Sequence, residues 1–278
     1  MRTVDKVLQL LENNKEDFIS GEDMARTHGL SRNAIWKAVR DLRNRGYVIE
    51  AISNRGYRLA QGNDIISAEG IRACLPKELG SLADNIEVHD TLRSTSDRAK
   101  ELAINGGCHG TCIISSSQSR GRGRKDHSFY SPKGGLYMSV ILSPDKLRFD
   151  KNDVITAFIG VCVCHAIEQL TGRSIHIRGI NDLYINDRKI CGILIESGSE
   201  FDSDDLQWIV AGIGINFDSD VESFPKELRH LVTSLYRPGS APVSKNDLAA
   251  RILENIFAKS TLNEEQIMNE YLHRKKEK

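Results

Sequence analysis

The sequence predicts an α+β protein in which a small N-terminal domain of helices and a hairpin precedes a larger mixed α/β domain. Two observations support this prediction. Apolar residues at helical spacing recur through residues 3–46, and strand-length apolar stretches alternate with helical ones after residue 68. The chain has 278 residues, which suits about two domains. We expect the first domain to span residues 1–62 and the second to span residues 66–278.

The overall charge favours no particular partner, because 38 basic side chains balance 38 acidic ones. No run of about 18 apolar residues is present, so we expect no membrane span. The N-terminus is amphipathic and contains acidic residues, which is unlike a secretory signal. We therefore expect a cytoplasmic protein.

The cysteine pattern argues against a metal site. None of the six cysteines forms a CxxC pair. Cys108, His109 and Cys112 are the alternative as metal ligands, but no second pair of ligands accompanies them. Reduced, partly buried thiols are the preferred interpretation, and we expect no bound metal.

The N-terminal domain is predicted to contain three helices and a hairpin. In residues 3–11 the apolar side chains share one helical face. Ser20 and Ser31 have the character of N-caps and are predicted to begin the second and third helices. Residues 47–59 follow as two short strands around an Asn-Arg-Gly turn. This order of elements is that of a winged helix-turn-helix.

The predicted recognition helix and wing are basic. Residues 31–58 contain seven basic and two acidic side chains, a local net charge of about +5. This pattern favours phosphate contacts around a helix in the major groove, so operator DNA is the predicted partner; a solvated basic helix is the alternative. Trp36 is interpreted as a packing or backbone contact, with base readout as the less favoured alternative. The candidate DNA-binding residues are Ser31, Arg32, Asn33, Lys37, Arg40 and Arg55.

The second domain follows a polar linker at residues 60–67 and is predicted to combine helices with one sheet. Helices are predicted at residues 68–75, 96–104 and 154–170, and residues 245–278 are predicted to be helical. Strands are predicted at residues 86–89, 111–115, 136–142, 173–178, 182–186, 189–196 and 206–214.

The strongest chemical signal is QSRGRGR at residues 118–124, which lies between two predicted strands. Its glycines permit positive φ and turn backbone N–H groups toward an anion, while the arginines add forked donors for phosphate or carboxylate. We predict a flexible basic loop that orders over an acyl phosphate. The loop is no P-loop, because GxxxxGK[ST] is absent. A disordered nucleic-acid tether is the alternative.

Two weaker signals flank this loop. Ser94-Thr95-Ser96-Asp97 opens a predicted helix directly after a strand, and an ordinary N-cap accounts for part of this pattern. GIGIN at residues 212–216 lies at the end of a predicted strand. A lone GxG is weak support for a nucleotide site, because no strand–GxGxxG–helix unit surrounds it.

These signals in this order resemble one family. A winged helix followed by STxD, QxxGRGR, a strand ending in ND, KxxGILIE and GxGIN is similar to the bacterial biotin protein ligases that double as biotin operon repressors. The resemblance extends from residue 3 to about residue 258. It implies a biotin/lipoate ligase-like fold for the second domain. It also implies formation of biotinyl-adenylate from biotin and ATP, followed by transfer to a carboxyl carrier protein or by dimerisation and repression.

The resemblance implies roles for residues at matching positions. Ser94, Thr95 and Gln118 would bind the biotin head group, and Arg122 and Arg124 would lie near the phosphate of the adenylate. The catalytic candidates are Arg178, Asn181 and Asp182. The full set of ligand-binding candidates is Ser94, Thr95, Ser96, Gln118, Gly121, Arg122, Gly123, Arg124, Phe129, Gly192, Gly214 and Asn216.

The chain departs from the family pattern at several positions. Arg178-Gly179-Ile180 stands where the family has Lys-Trp-Pro, and the resemblance implies that this lysine bridges the acyl and phosphoryl groups. His127 and Phe129 replace an arginine and a tryptophan, and Ser96 replaces an asparagine. Residues 259–278 contain no strand–turn pattern, so we expect the family's small C-terminal barrel to be missing.

These departures lead to two main hypotheses. The first is a dimeric transcription repressor whose ligase-like domain binds a small effector, namely biotin, biotinyl-AMP or a related metabolite. The second is an active ligase that uses ATP and Mg²⁺ to biotinylate a carboxyl carrier protein. A ligase for lipoate or a similar acid is a third. The altered strand at Arg178 favours the first hypothesis, while Gln118 and the GRGR loop favour the second.

Overall fold

The N-terminal domain is a cluster of three helices with a two-stranded wing. In the computed structural model, which describes residues 1–199 and 206–276, its elements are α1 (Thr3–Asn13), α2 (Gly21–His28), α3 (Arg32–Asn44), β1 (Ile49–Ile52) and β2 (Gly56–Leu59). Ser20 and Ser31 accept hydrogen bonds from the backbone N–H groups of Asp23 and Ala34, and they begin α2 and α3 as predicted. The order of elements is that of the predicted winged helix-turn-helix.

A small apolar core holds α3 in place. Ile35, Val39 and Leu42 of α3 are buried in one cluster with Val7 and Leu11 of α1. The opposite side of α3 is exposed along its length, so this helix presents a polar, basic face to solvent.

The larger domain is built on one mixed sheet. Its helices are α4 (Ala68–Cys74), α5 (Thr95–Ile104), α6 (Asn152–Thr171), α7 (Lys245–Lys259) and α8 (Glu264–Arg274). Its strands are β3 (Ile86–His89), β4 (Cys112–Ser115), β5 (Gly135–Leu142), β6 (His176–Arg178), β7 (Asp182–Ile185), β8 (Arg188–Ser199) and β9 (Leu206–Asn216). The strand order is β3-β4-β5-β9-β8-β7-β6, and the pairs are antiparallel except for β3 with β4.

Helix α6 lies in the main core, which also contains buried residues of α7 and of the central strands. Among the described residues, α6 is the one helix long and apolar enough to cross a membrane, but most of it is buried inside the protein, as in a core helix. Burial raises the pKa of the Cys162 and Cys164 thiols in this helix, so these thiols are held in the protonated form.

The C-terminal segment is divided into two helices. The Asn263 side chain accepts a hydrogen bond from the backbone of Gln266, and the Gln266 side chain accepts one from the backbone of Asn263. This reciprocal capping box begins α8, so the chain turns between α7 and α8. The sequence prediction described residues 245–278 only as helical and did not identify this second N-terminus.

A tight turn sets the register of the strands that matter most for the site. Asn186 and Asp187 join β7 to β8 with φ of 46° and 65°, the left-handed geometry of a type I′ turn. An irregularity between Leu183 and Tyr184 then shifts the pairing by one residue, which places Gly192 of β8 opposite Asp182 of β7; on its other side Gly192 lies opposite Gly214 of β9.

The start of α7 anchors the linker between the two domains. Lys245, which is 8% exposed, forms an ion pair with Asp64 of the linker and a second one of 3.0 Å with Asp218. The Lys245 backbone N–H also donates to Asp64 at 2.6 Å. Burial raises the pKa of Asp64, and the neighbouring ammonium of Lys245 opposes that rise.

Neighbouring contacts extend this anchor in both directions along the chain. The Asn246 side chain accepts from the backbone N–H of Ser67 at 3.1 Å and donates to the carbonyl of Ile65 at 3.0 Å. Asp218 lies two residues after the end of β9, and its N–H donates to the carbonyl of Gly134 at 2.8 Å. The linker is therefore connected to the end of β9 through the single side chain of Lys245.

We expect Lys245→Ala to loosen the linker, because Asp64 and Asp218 lose their shared cation while remaining largely buried. The free energy of unfolding should fall by about 2 kcal/mol in urea denaturation, and proteinase K should cut residues 60–67 faster. Lys146→Ala removes only an exposed ion pair with Asp145 and serves as the control, with an expected change below about 0.5 kcal/mol. Equal stability of the Lys245 variant and the wild type would contradict this prediction.

Candidate functional site

A pocket of about 320 Å³ opens on the sheet face that carries α5. Three parts of the chain bound it: the first turn of α5, the loop at residues 116–134, and strands β7 to β9. Eleven of the predicted site residues line it, namely Thr95, Ser96, Gln118, Arg122, Gly123, Arg124, Phe129, Asn181, Asp182, Gly192 and Gly214. Motifs that are far apart in the sequence thus meet around one cavity.

Glycines form the floor of this pocket. A Cβ atom at Gly214 would lie 2.5 Å from the Phe129 ring, and one at Gly192 would lie 2.8 Å from the same ring. A Cβ atom at Gly212 would lie 2.6 Å from the Ser96 hydroxyl. The ring of Phe129 therefore rests directly on the backbones of β8 and β9. Phe129 was predicted to bind the ligand, and its ring lies against the floor of the pocket.

Gln118 ties the loop to the start of α5. Its side-chain oxygen accepts from the Thr95 backbone N–H at 2.8 Å and from the Thr95 hydroxyl at 3.1 Å. Its side-chain nitrogen donates to the Ser131 hydroxyl at 2.9 Å. The buried Ser139 hydroxyl contacts the hydroxyls of Thr95 at 2.8 Å and Ser96 at 3.2 Å. These amide and hydroxyl groups are hydrogen-bond donors and acceptors without charge, and they suit a polar but uncharged head group.

Arg122 is held by two carboxylates at the edge of the pocket. Its guanidinium lies 2.9 Å from Asp97 and 3.0 Å from Glu196, and Lys100 also contacts Glu196 at 3.1 Å. Burial opposes the charge of Arg122, but the hydrogen bond to Asp97 and the charge of Glu196 raise its pKa overall. Arg122 is therefore a fixed cation within the basic loop.

Lys189 supplies a second cation and was not among the predicted site residues. Its ammonium lies 2.8 Å from Asp182 and 5.7 Å from the centre of the Phe129 ring. The contact with Asp182 is an ion pair and not a well-aligned hydrogen bond. The Asp182 Oδ1 atom is buried and accepts no hydrogen bond of acceptable geometry. The lysine is the first residue of the KxxGILIE motif, so the sequence contained a signal for it.

Arg178, the predicted catalytic cation, does not line the pocket. Its guanidinium pairs with Asp187 of the hairpin turn and lies 4.8 Å from the centre of the Tyr184 ring. The side chain thus runs along the outer end of the hairpin. The next residue, Gly179, has φ of 63°, and its carbonyl accepts a hydrogen bond from the Tyr271 hydroxyl of α8. Arg178 is the register partner of Asp182 on the neighbouring strand, but its guanidinium pairs with Asp187 and does not line the pocket.

Three further predicted residues support the pocket without lining it. Ser94 accepts a hydrogen bond from the Asp97 N–H and caps α5. Gly121 permits the loop to fold on itself, because a Cβ there would lie 2.3 Å from the Phe129 carbonyl. Asn216 is 2% exposed and donates to the carbonyl of Thr233, and its side-chain oxygen has no partner among the described residues.

The predicted DNA-binding residues lie on the exposed surface of the N-terminal domain. Those on α3 and at its N-cap are all exposed: Ser31, Arg32, Asn33, Lys37 and Arg40. Arg32 pairs with Glu22 of α2, and Arg55 at the wing places its guanidinium 4.7 Å from the centre of the Phe18 ring. Their exposure is compatible with phosphate contacts, and their role in DNA binding stays a prediction.

Two family models match the chain. Residues 88–216 match the biotin/lipoate A/B protein ligase family, and residues 3–58 match an HTH domain. The "Bifunctional ligase/repressor BirA" of Bacillus subtilis is 34% identical over 248 residues, which cover 89% of this chain and 75% of that protein. The protein of the same name from Escherichia coli is 28% identical over 281 residues, and the match covers 97% of this chain and 80% of that protein.

Solved structures show the same fold. The biotin protein ligase from Aquifex aeolicus in complex with biotin and ATP aligns with a TM-score of 0.58 at 24% identity, over 69% of this chain and 78% of that one. The biotin protein ligase from Leishmania major in complex with biotinyl-5-AMP aligns with a TM-score of 0.59 at 22% identity, over 69% of this chain and 81% of that one.

We expect Gly214→Ala to destabilise the protein, because the new methyl group displaces the Phe129 ring from the floor. Overpacking of this kind should lower the free energy of unfolding by about 1–3 kcal/mol in urea. Gly80→Ala is the matched control, since a Cβ there meets no atom within 4 Å. The double variant Gly214→Ala/Phe129→Ala should lose less stability than the sum of its single variants. Strict additivity would show that the two positions do not collide.

Proposed function

The chain belongs to the family of bifunctional ligase/repressor proteins, and on this premise we propose that it is a DNA-binding repressor whose ligase-like domain binds biotin or biotinyl-AMP as effector. The observation that most supports the proposal is the convergence of Gln118, Thr95, Arg122 and Lys189 on one pocket. The exposed basic face of α3 supports the DNA-binding part.

The chemistry of the pocket suits an acyl adenylate. The amide of Gln118 with the Thr95 hydroxyl offers hydrogen bonds to an uncharged head group, and the Phe129 ring on the glycine floor offers an apolar surface. Arg122 and Lys189 are available to a carboxylate or phosphate. Their present partners, Asp97 and Asp182, keep both cations in place before a ligand arrives.

Lys189 favours ligase activity as a second function of the same pocket. Attack of a carboxylate on an α-phosphate requires cations for the charge that develops, and a cover that excludes water from the mixed anhydride. Lys189 is such a cation on the rigid strand β8, and the loop at residues 116–134 is such a cover. Arg178 lies outside the pocket, so in this proposal Lys189 supplies the cation that the family's lysine at the position of Arg178 would otherwise provide.

ATP and Mg²⁺ would be needed for this second function. The described residues fit the phosphates, because Arg122, Arg124 and Lys189 all line the pocket. They do not fit a magnesium cage, since no group of three metal-ligating side chains is found within residues 1–199 and 206–276. Mg²⁺ would therefore enter with the nucleotide. We further propose a homodimer as the DNA-binding form, a carboxyl carrier protein as the acceptor, and a cytoplasmic location.

We expect Lys189→Ala to lower biotinyl-adenylate formation by about a hundredfold, because the developing charge loses its cation. Arg178→Ala is the matched control and should stay within about threefold of the wild type. The measurements are biotin-dependent pyrophosphate release and blotting of a biotin carrier domain. If the wild type transfers no biotin but binds it in calorimetry, the repressor proposal stands alone. If neither biotin nor biotinyl-AMP binds, biotin is excluded as the effector.

We expect the double variant Arg32→Ala/Asn33→Ala to weaken binding to duplexes that the wild type enriches from a random pool. Both side chains project from the start of α3, so the loss should be at least about tenfold in a gel-shift titration. Lys146→Ala removes a basic side chain far along the chain in the larger domain and should bind as the wild type does. Unchanged affinity of the double variant would show that α3 is not the recognition helix.

A further inference from the structure

Trp36 is the largest apolar side chain that α3 exposes. It is 51% exposed, which argues against a packing role within its own domain. The buried cluster of this domain is formed without it. An exposed tryptophan in the middle of a helix contributes little to the stability of its own domain. Its exposure therefore points to contact with another molecule.

Helical geometry places Trp36 at the centre of the exposed face of α3. It follows Arg32 by four residues and Asn33 by three, and Arg40 follows it by four, so these side chains are neighbours on one surface. Ser31 caps the helix directly before them. The indole thus lies between the polar residues at the helix N-terminus and Arg40, which is about one turn further along the helix.

Arg40 packs against this indole. Its guanidinium lies 5.0 Å from the centre of the Trp36 ring, a cation–π contact that aligns the flexible arginine along the helix. The wing has a related arrangement, in which Arg55 and Arg58 lie 4.7 Å and 4.5 Å from the Phe18 ring. Phe18 is half-buried, whereas Trp36 keeps a large part of its ring free for contact with another molecule.

The surroundings of Trp36 identify the partner. An apolar protein surface placed on this face would strip water from the exposed charges of Arg32, Lys37 and Arg40 without replacing it. Duplex DNA offers phosphates to these cations and one apolar group on the edge of its major groove, the 5-methyl group of thymine. An exposed indole that carries Arg40 on its ring and has Arg32 one turn away is complementary to that combination.

We propose that Trp36 is a specificity-determining residue that contacts a thymine methyl group in the major groove, with Arg40 positioned by stacking on the indole. This inference rests on the proposed DNA-binding function and adds the base that α3 selects. It also distinguishes Trp36 from Lys37, whose ammonium is suited to a phosphate and carries no sequence information.

The test begins with duplexes enriched from a random pool by the wild type and, separately, by Trp36→Ala. The wild-type motif should contain a conserved thymine that the variant no longer selects. In the wild-type motif, replacing that thymine by deoxyuridine removes only the methyl group. The substitution should weaken wild-type binding roughly fourfold, the value of one buried methyl group, and should leave Trp36→Ala binding unchanged. Trp36→Phe should retain part of the methyl effect, and Ile104→Ala, another exposed apolar residue, should retain all of it.

The outcomes separate the two proposals. If the wild type enriches no sequence, DNA recognition itself fails. If it enriches a motif but every thymine tolerates deoxyuridine, or Trp36→Ala selects the same motif with the same deoxyuridine effect, the role of Trp36 is overturned. A uniform loss of affinity in Trp36→Ala with an unchanged base preference would make Trp36 a backbone contact and would also overturn it. Thermal unfolding of Trp36→Ala that matches the wild type confirms that its domain is intact.

Discussion

The contact between the Phe129 ring and the backbones of Gly192 and Gly214 is the constraint on which the pocket depends. The two glycines are register partners on β8 and β9, so the absence of both side chains leaves one continuous recess in the sheet. Phe129 fills part of that recess and thereby draws the basic loop over the strands. Any side chain larger than glycine at either position would lift the ring, and the loop would move with it.

The charged groups around the recess are arranged as pairs. Arg122 is shared by Asp97 and Glu196, and Lys189 is held by Asp182. Each cation is therefore oriented by the protein itself, and an arriving anion gains positioned charges at the cost of competing with carboxylates. This arrangement favours a ligand that makes several contacts at once over a free anion that makes one.

Much of the fold follows from local sequence, because caps, turns and apolar spacing are short-range signals. Ser20, Ser31 and Ser94 each occupy the N-cap position that their residue type favours. The charges at the site were harder to predict, since the direction of a side chain decides which of them reach it. Arg178 lies opposite Asp182 in the sheet, yet its guanidinium turns to Asp187, whereas Lys189 beyond the Asn186-Asp187 turn lines the pocket. The exposure of Trp36 was equally hidden, because an aromatic residue in an amphipathic helix is ordinarily buried.

The anchor at Lys245 bears on the spacing between two DNA half-sites that a pair of these proteins would bind. Lys245 and Asn246 contact Asp64, Ile65 and Ser67, so the linker that follows the winged helix is bonded to the larger domain. In an assembly of two copies, the separation of the two α3 helices would then be fixed by the geometry of the larger domains. The preferred spacing between half-sites would be a property of the anchored linker as much as of the helices that read the bases.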